Sequence, residues 1–187
     1  MKIGFALCGS FCTVKAALSQ MEKLAQENEV QGIVSEAVFG TDTRFAPAAE
    51  VVEHIRNITG REVIHSIVEA EPLGPRSPLD ALIICPCTGN TLAKMANGIT
   101  DTAVTMAAKA HLRSDRPLVI ALASNDALSA NLKNVGQMLT RKNVYFVPMK
   151  QDDPTGKPHS LVADFSLLPQ TLAAALDGHQ YQRLFIL

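Results

Sequence analysis

The feature that most constrains the fold of this chain is a rhythm in which short aliphatic runs alternate with longer stretches of helical spacing. "KIGFALC" (2–8) is nearly continuous in apolar residues. It feeds "FCTVKAALSQMEKLAQEN", where Val14, Ala17, Leu18, Met21, Leu24 and Ala25 recur at the i, i+3, i+4, i+7 steps of one helix face. Further strands are expected at "EVQGIVS" (29–35), "EVIH" (62–65), "DALIIC" (80–85), "PLVIALAS" (117–124) and "VYFVPM" (144–149). Unbroken apolar strands separated by helices suit a parallel sheet, because both of its faces are covered. The pattern predicts a doubly wound, Rossmann-like three-layer α/β fold with a mostly parallel six-stranded sheet. No repeat or linker interrupts it, so a single domain is expected over 1–187.

Punctuation marks the helices between these strands. Pro47 suits the first turn of "AAEVVEHIRNIT", and Gly60 stops it. After the strand at 80–85, Leu92, Met95, Ala96 and Ile99 form one stripe, and Ala103, Met106, Ala107 and Ala110 the next. "NGITD" between them predicts a bend with a new N-cap at Thr100 or Asp101. A helix is expected over "SANLKNVGQMLTRK", then a polar loop at 150–159. "SLVADFSLL" and "PQTLAAALDG" read as a broken C-terminal helix, with Pro169 opening its second piece.

Composition narrows the function classes. Hydrophobic residues make up 47% and charged ones 19%, which excludes a disordered chain. A net charge of −1 without a dense Lys/Arg cluster argues against nucleic acid as the main ligand. "IGFALCG" is too short to span a membrane and reads as a first strand, so a cytoplasmic, membrane-free protein is expected. Sparse charge hints at surface covered by other subunits.

In a doubly wound sheet, ligands bind where strand order reverses, at the carboxyl ends of the strands. After the first strand come Gly9, Ser10, Phe11, Cys12 and Thr13, which can receive a phosphate or serve as an ordinary turn. After the second come Ser35-Glu36-Ala37 and "VFGTDTRF". That insertion is either a surface loop or a cover offering Phe45 as a wall for a planar ring. After the strand at 80–85, Thr88, Gly89, Asn90 and Thr91 supply small hydrogen-bonding groups that equally suit a helix cap. The strand at 117–124 repeats the theme with Ser124, Asn125 and Asn131.

The four cysteines, Cys8/Cys12 and Cys85/Cys87, fall in two pairs at strand ends. Cys-Pro-Cys leaves one residue between thiols, closer than structural zinc sites use, so reduced, packed thiols and no metal are expected. His54, His65, His111, His159 and His179 have no nucleophile and acid nearby in sequence, and His111 ends a helix where it suits the dipole.

The stretches "GFALCGSFCTVK", "SEAVFGTDTRF", "ALIICPCTGNTLAKMANGITD" and "KPHSLVADFSLL" resemble the flavoprotein family of homo-oligomeric, flavin-containing cysteine decarboxylases, over nearly the whole length. The resemblance implies FMN bound between subunits of a trimer or dodecamer. It implies phosphate held by Gly9, Ser10, Phe11 and Ser35, and a ring lined by Thr43 and Phe45. Thr88, Gly89, Asn90 and Thr91 match the family's Pro-Ala-Ser-Ala-Asn-Thr motif beside the ribityl chain, and Asn125, with Ser124, its substrate-side Pro-Ala-Met-Asn. The decarboxylases carry a histidine in a His-Ile-Glu-Leu context ahead of that strand. Here "EPLGPRSPLDAL" has none, so the scaffold is expected without that decarboxylation. Within the family the chain is most similar to a branch of sporulating bacteria. That likeness implies a dehydrogenase-like A subunit as partner and a small ring dicarboxylate as substrate, with Arg44, Arg76 and Lys157 as candidate carboxylate clamps.

Overall fold

The computed structural model describes residues 1–74, 76 and 78–186. Five parallel strands form the sheet's body: β1 (Lys2–Leu7), β2 (Glu29–Val34), β3 (Ala81–Cys87), β4 (Leu118–Ser124) and β5 (Val144–Phe146). Two short strands, β6 (Met149–Lys150) and β7 (Leu161–Ala163), join antiparallel, in the order β2-β1-β3-β4-β7-β6 with β5 also on β4. Every residue of β3 and β4 is buried, which explains their unbroken apolar runs. The chain runs outward from β1 to β2, then returns past β1 to β3. Right-handed crossovers therefore send the two sets of helices to opposite faces, and strand order reverses between β1 and β3.

One helical layer contains α1 (Val14–Ala25), α3 (Ala48–Thr59) and, at its far end, α8 (Leu168–Leu176). The other holds α4 (Ile67–Ala70), α5 (Gly89–Ala96), α6 (Ala103–Leu112) and α7 (Leu132–Leu139), with α4 packed on α6 and α5 touching both α6 and α7. Gly60 ends α3 at φ 65°, a left-handed conformation that a side chain would oppose. Pro47 sits one residue earlier than expected, as the N-cap of α3.

Several expectations are corrected by pairing. The strand at 62–65 reduces to one bridge, Ile33 with Ile64, because only that residue reaches the β2 edge. The run 144–149 divides into β5 and β6. "SLVADFSLL" is strand β7 and a 3-10 turn (Phe165–Leu167) rather than helix, because Leu161 and Val162 pair with Ser124 and Ala123 at the end of β4. The N-cap of α6 is Thr102, which exchanges hydrogen bonds with Thr105. Part of the insertion after β2 is a short helix, α2 (Glu36–Gly40). β3 continues through Pro86 to Cys87, with an irregular register between Ile84 and Cys87. His111 is fully buried, and its Nε2–H donates to the Pro117 carbonyl at 2.9 Å, while Nδ1 has no partner. No described helix is long and apolar enough to cross a membrane.

Candidate functional site

The carboxyl ends of β1, β3 and β4 converge on a cavity of about 820 Å³ at the point of strand reversal. The turn after β1 brings Gly9 and Ser10 to its wall, the start of α5 brings Thr88, Gly89 and Asn90, and the end of β4 brings Ser124 and Asn125. The β6–β7 connection closes the remaining side with Asp152, Lys157 and Ser160. Among the described residues, the N–H groups of Gly9, Phe11 and Cys12 have no hydrogen-bond acceptor, as expected at a helix entrance whose orphan donors are left open. The side chains of Asn90 and Asn125 are exposed and make no hydrogen bond to the described chain.

Other expected residues have local duties. Thr88 caps α5: its Oγ1 accepts from the Thr91 N–H at 3.3 Å and lies 3.1 Å from Thr91 Oγ1. Thr91 is itself buried behind the cavity wall. Ser35 ends β2 and caps α2, accepting from the Val38 N–H at 3.4 Å. Thr43 folds its own loop, its Oγ1 accepting from the N–H groups of Phe45 and Ala46. Thr43 and Phe45 line a second, largely apolar groove of about 560 Å³ between α1 and the α2–α3 connection. Phe11 shares that groove, and Cys12 borders both spaces. The expected set therefore divides over two adjoining hollows. Phe45 is 52% exposed, with the Arg44 guanidinium 4.9 Å from its ring centroid. Arg76 is at the wrong end of the sheet for a clamp: it neighbours Met1, Lys2 and Glu29 at the amino ends of the strands.

Sequence reasoning passes over Asp126. Its Oδ1 accepts from Ser124 Oγ at 2.5 Å and its Oδ2 from Asn131 Nδ2 at 2.8 Å, while Asn131 Oδ1 accepts from Asn134 Nδ2 at 2.8 Å. Gly89 fits against this network only because it lacks a side chain: a Cβ there would lie 2.3 Å from Ser124 Oγ. The available signal is the cluster of short polar residues in "SNDALSAN", which suits a self-bonded turn. Across the cavity, Lys157 Nζ pairs with Asp152 Oδ2 at 2.8 Å. That hydrogen bond holds the Asp152 carboxyl below its ordinary range and raises the Lys157 ammonium.

The thiols behind the wall are a different environment. Burial pushes Cys8 up to about 11 and Cys85 and Cys87 well above the ordinary thiol value, so these three are neutral and pack as small apolar groups. Cys12 is exposed. Among the described residues, no three His, Cys, Asp or Glu side chains are grouped to hold a metal ion.

A doubly wound sheet with small polar groups gathered at its reversal point is the build of a cofactor- or substrate-binding α/β domain. Residues 1–164 match the Flavoprotein family model, and the chain belongs to that family. It is 48% identical over 186 residues to the dipicolinate synthase B protein of Bacillus subtilis (strain 168), covering 99% of this chain and 93% of that protein. It resembles the crystal structure of the dipicolinate synthase B protein from Bacillus halodurans with a TM-score of 0.91 at 44% identity, covering 100% of this chain and 96% of that one. The FMN-dependent cysteine decarboxylase SpaF shares the fold, with a TM-score of 0.70 at 23% identity over 94% of this chain and 97% of that one.

Proposed function

We propose that this chain is the flavin-binding component of a dipicolinate synthase. With a dehydrogenase-like A subunit it forms pyridine-2,6-dicarboxylate from a dihydrodipicolinate-type ring in the cytoplasm of a sporulating cell. The observation that carries the reading is the cavity at the β1/β3 reversal, lined by unpaired N–H and carboxamide groups in a chain 48% identical to such a component.

The residues fit FMN. The free N–H groups of Gly9, Phe11 and Cys12 and the Ser10 hydroxyl suit a phosphate, with Ser35 contributing from the end of β2. Thr88, Gly89, Asn90 and Thr91 form the wall beside the ribityl chain, Asn90 being the one with an uncommitted amide. The groove of Thr43 and Phe45, joined to the cavity through Cys12, suits the flat ring. When bound, a flavin supplies a two-electron oxidant for a dihydropyridine ring. The chain's own contribution is placement. Ser124 and Asn125 bind the substrate, Lys157 attracts a carboxylate, and the β6–β7 connection limits access of water.

Phe45, 52% exposed, and Val68, 82% exposed, are apolar surface suited to burial against a second copy, in keeping with a trimer or dodecamer. The purified chain is expected to be yellow with one FMN per protomer, and Asn90→Ala to retain less of it. Adding the chain to the A subunit is expected to raise the rate of dipicolinate formation. A colourless protein that takes up no FMN, or no gain in rate, refutes the proposal.

A further inference from the structure

The polar groups at the end of β4 are not free to turn. Ser124 has one hydroxyl proton, and it goes to Asp126 Oδ1 at 2.5 Å. The second carboxylate oxygen receives Asn131 Nδ2. That amide cannot flip, because its carbonyl already accepts from Asn134 Nδ2, and both asparagines are buried. Ser124 is itself nearly buried yet lines the cavity. A hydroxyl whose proton is committed shows its surroundings only lone pairs, and a carboxylate has no proton to give.

We propose that Ser124, with its proton held by Asp126, is an acceptor-only contact that selects a ligand carrying a ring N–H and rejects an aromatic ring nitrogen. An aromatic nitrogen is itself an acceptor, so facing Ser124 it leaves two groups unpaired. A partly reduced ring satisfies the contact, and the fully aromatic product does not, which favours its departure. Asp126 is a positioning residue, acting through the serine. The identity of the ligand ring rests on the function proposed above; the polarity of the contact rests on the hydrogen bonds alone.

The test is calorimetric titration of the purified chain with two probes that share the same pair of carboxylates. One is pyridine-2,6-dicarboxylate. The other is its 4-oxo-1,4-dihydro form, which carries a ring N–H. The second is expected to bind about tenfold more tightly, the worth of one hydrogen bond made against one frustrated. In Asp126→Asn the fixed Asn131 amide draws the new carbonyl toward itself and leaves an NH₂ facing Ser124. The serine proton is then released to the cavity, and the preference is expected to fall to parity or reverse. Ser124→Ala is expected to bring the ratio close to one, and decides the matter if Asp126→Asn does not fold. Equal affinities in the parent chain, no binding of either probe, or a preference that persists in the variants overturns the inference. Visible absorbance of bound FMN, read on the same samples, separates the two proposals: a failed ratio with flavin retained removes only this one.

Discussion

Replacing Gly89 with alanine is expected to destabilise the fold by about 2–5 kcal/mol, against the usual direction of such a change. Gly89 is the first residue of α5, where alanine's better helix propensity is worth up to about 1 kcal/mol. The new methyl, however, would lie 2.3 Å from Ser124 Oγ, 2.6 Å from Asn131 Nδ2 and 2.8 Å from Asp126 Oδ1. None of these atoms belongs to a flexible side-chain end, because each is tied to another. Overpacking costs about 1–3 kcal/mol. Parting the serine from the carboxylate adds about 1.5–3 kcal/mol, the range for a hydrogen bond to a charged group. Urea unfolding followed by circular dichroism, without added ligand, measures the balance. With a slope of about 2 kcal/mol per M the midpoint is expected to fall by about 1–2.5 M. Adding Gly89→Ala to Asp126→Ala is expected to cost less than adding it to the parent chain, since the pair shares one network. An unchanged or raised midpoint would refute the close packing of α5 on the β4 end.

Thiol titration of the native chain at neutral pH is expected to label Cys12 rapidly and leave Cys8, Cys85 and Cys87 untouched until urea exposes all four; fast labelling of a second thiol contradicts their burial. Burial lowers the folded-state pKa of His111 below its ordinary 6.5, so the unfolded chain takes up that proton first. Its contribution to stability is complete above pH 6.5 and is lost as pH falls through the lower folded value. His111→Gln, which keeps a donor for Pro117, is expected to flatten that part of the profile, and an unaltered pH dependence argues against it. Lys157→Met is expected to let the Asp152 carboxyl titrate closer to its ordinary range, observable by carbon NMR, while leaving the urea midpoint nearly unmoved, as the ion pair is exposed and screened. An Asp152 titration that does not move contradicts the pairing.

What the sequence makes legible is what two-sided burial writes into it. β1, β3 and β4 read as apolar runs because both faces are covered, and α1 reads by its stripe because one face is. The site's location follows from the same pattern through the reversal of strand order. The misreadings share another cause, pairing between distant segments. "SLVADF" has no local feature that separates strand from helix; its partner, far earlier in the chain at the end of β4, decides. Arg76 lies ahead of β3 in sequence, and only the strand's direction puts it at the far end from the cavity. Asp126 escapes a reading of the sequence because its importance lies in two neighbours it fixes, and spacing along a chain does not display hydrogen-bond direction.

β4 divides its length between two neighbours. Leu118–Ile120 pair with β5, and Ala123–Ser124 pair with β7. The rim of the cavity is thus attached to a stretch of backbone that the parallel body leaves unclaimed. Residues 151–160 could lengthen, shorten or change charge without moving any register among β1 to β5. A lineage built on this scaffold is free to alter what enters while the interior goes on folding as before.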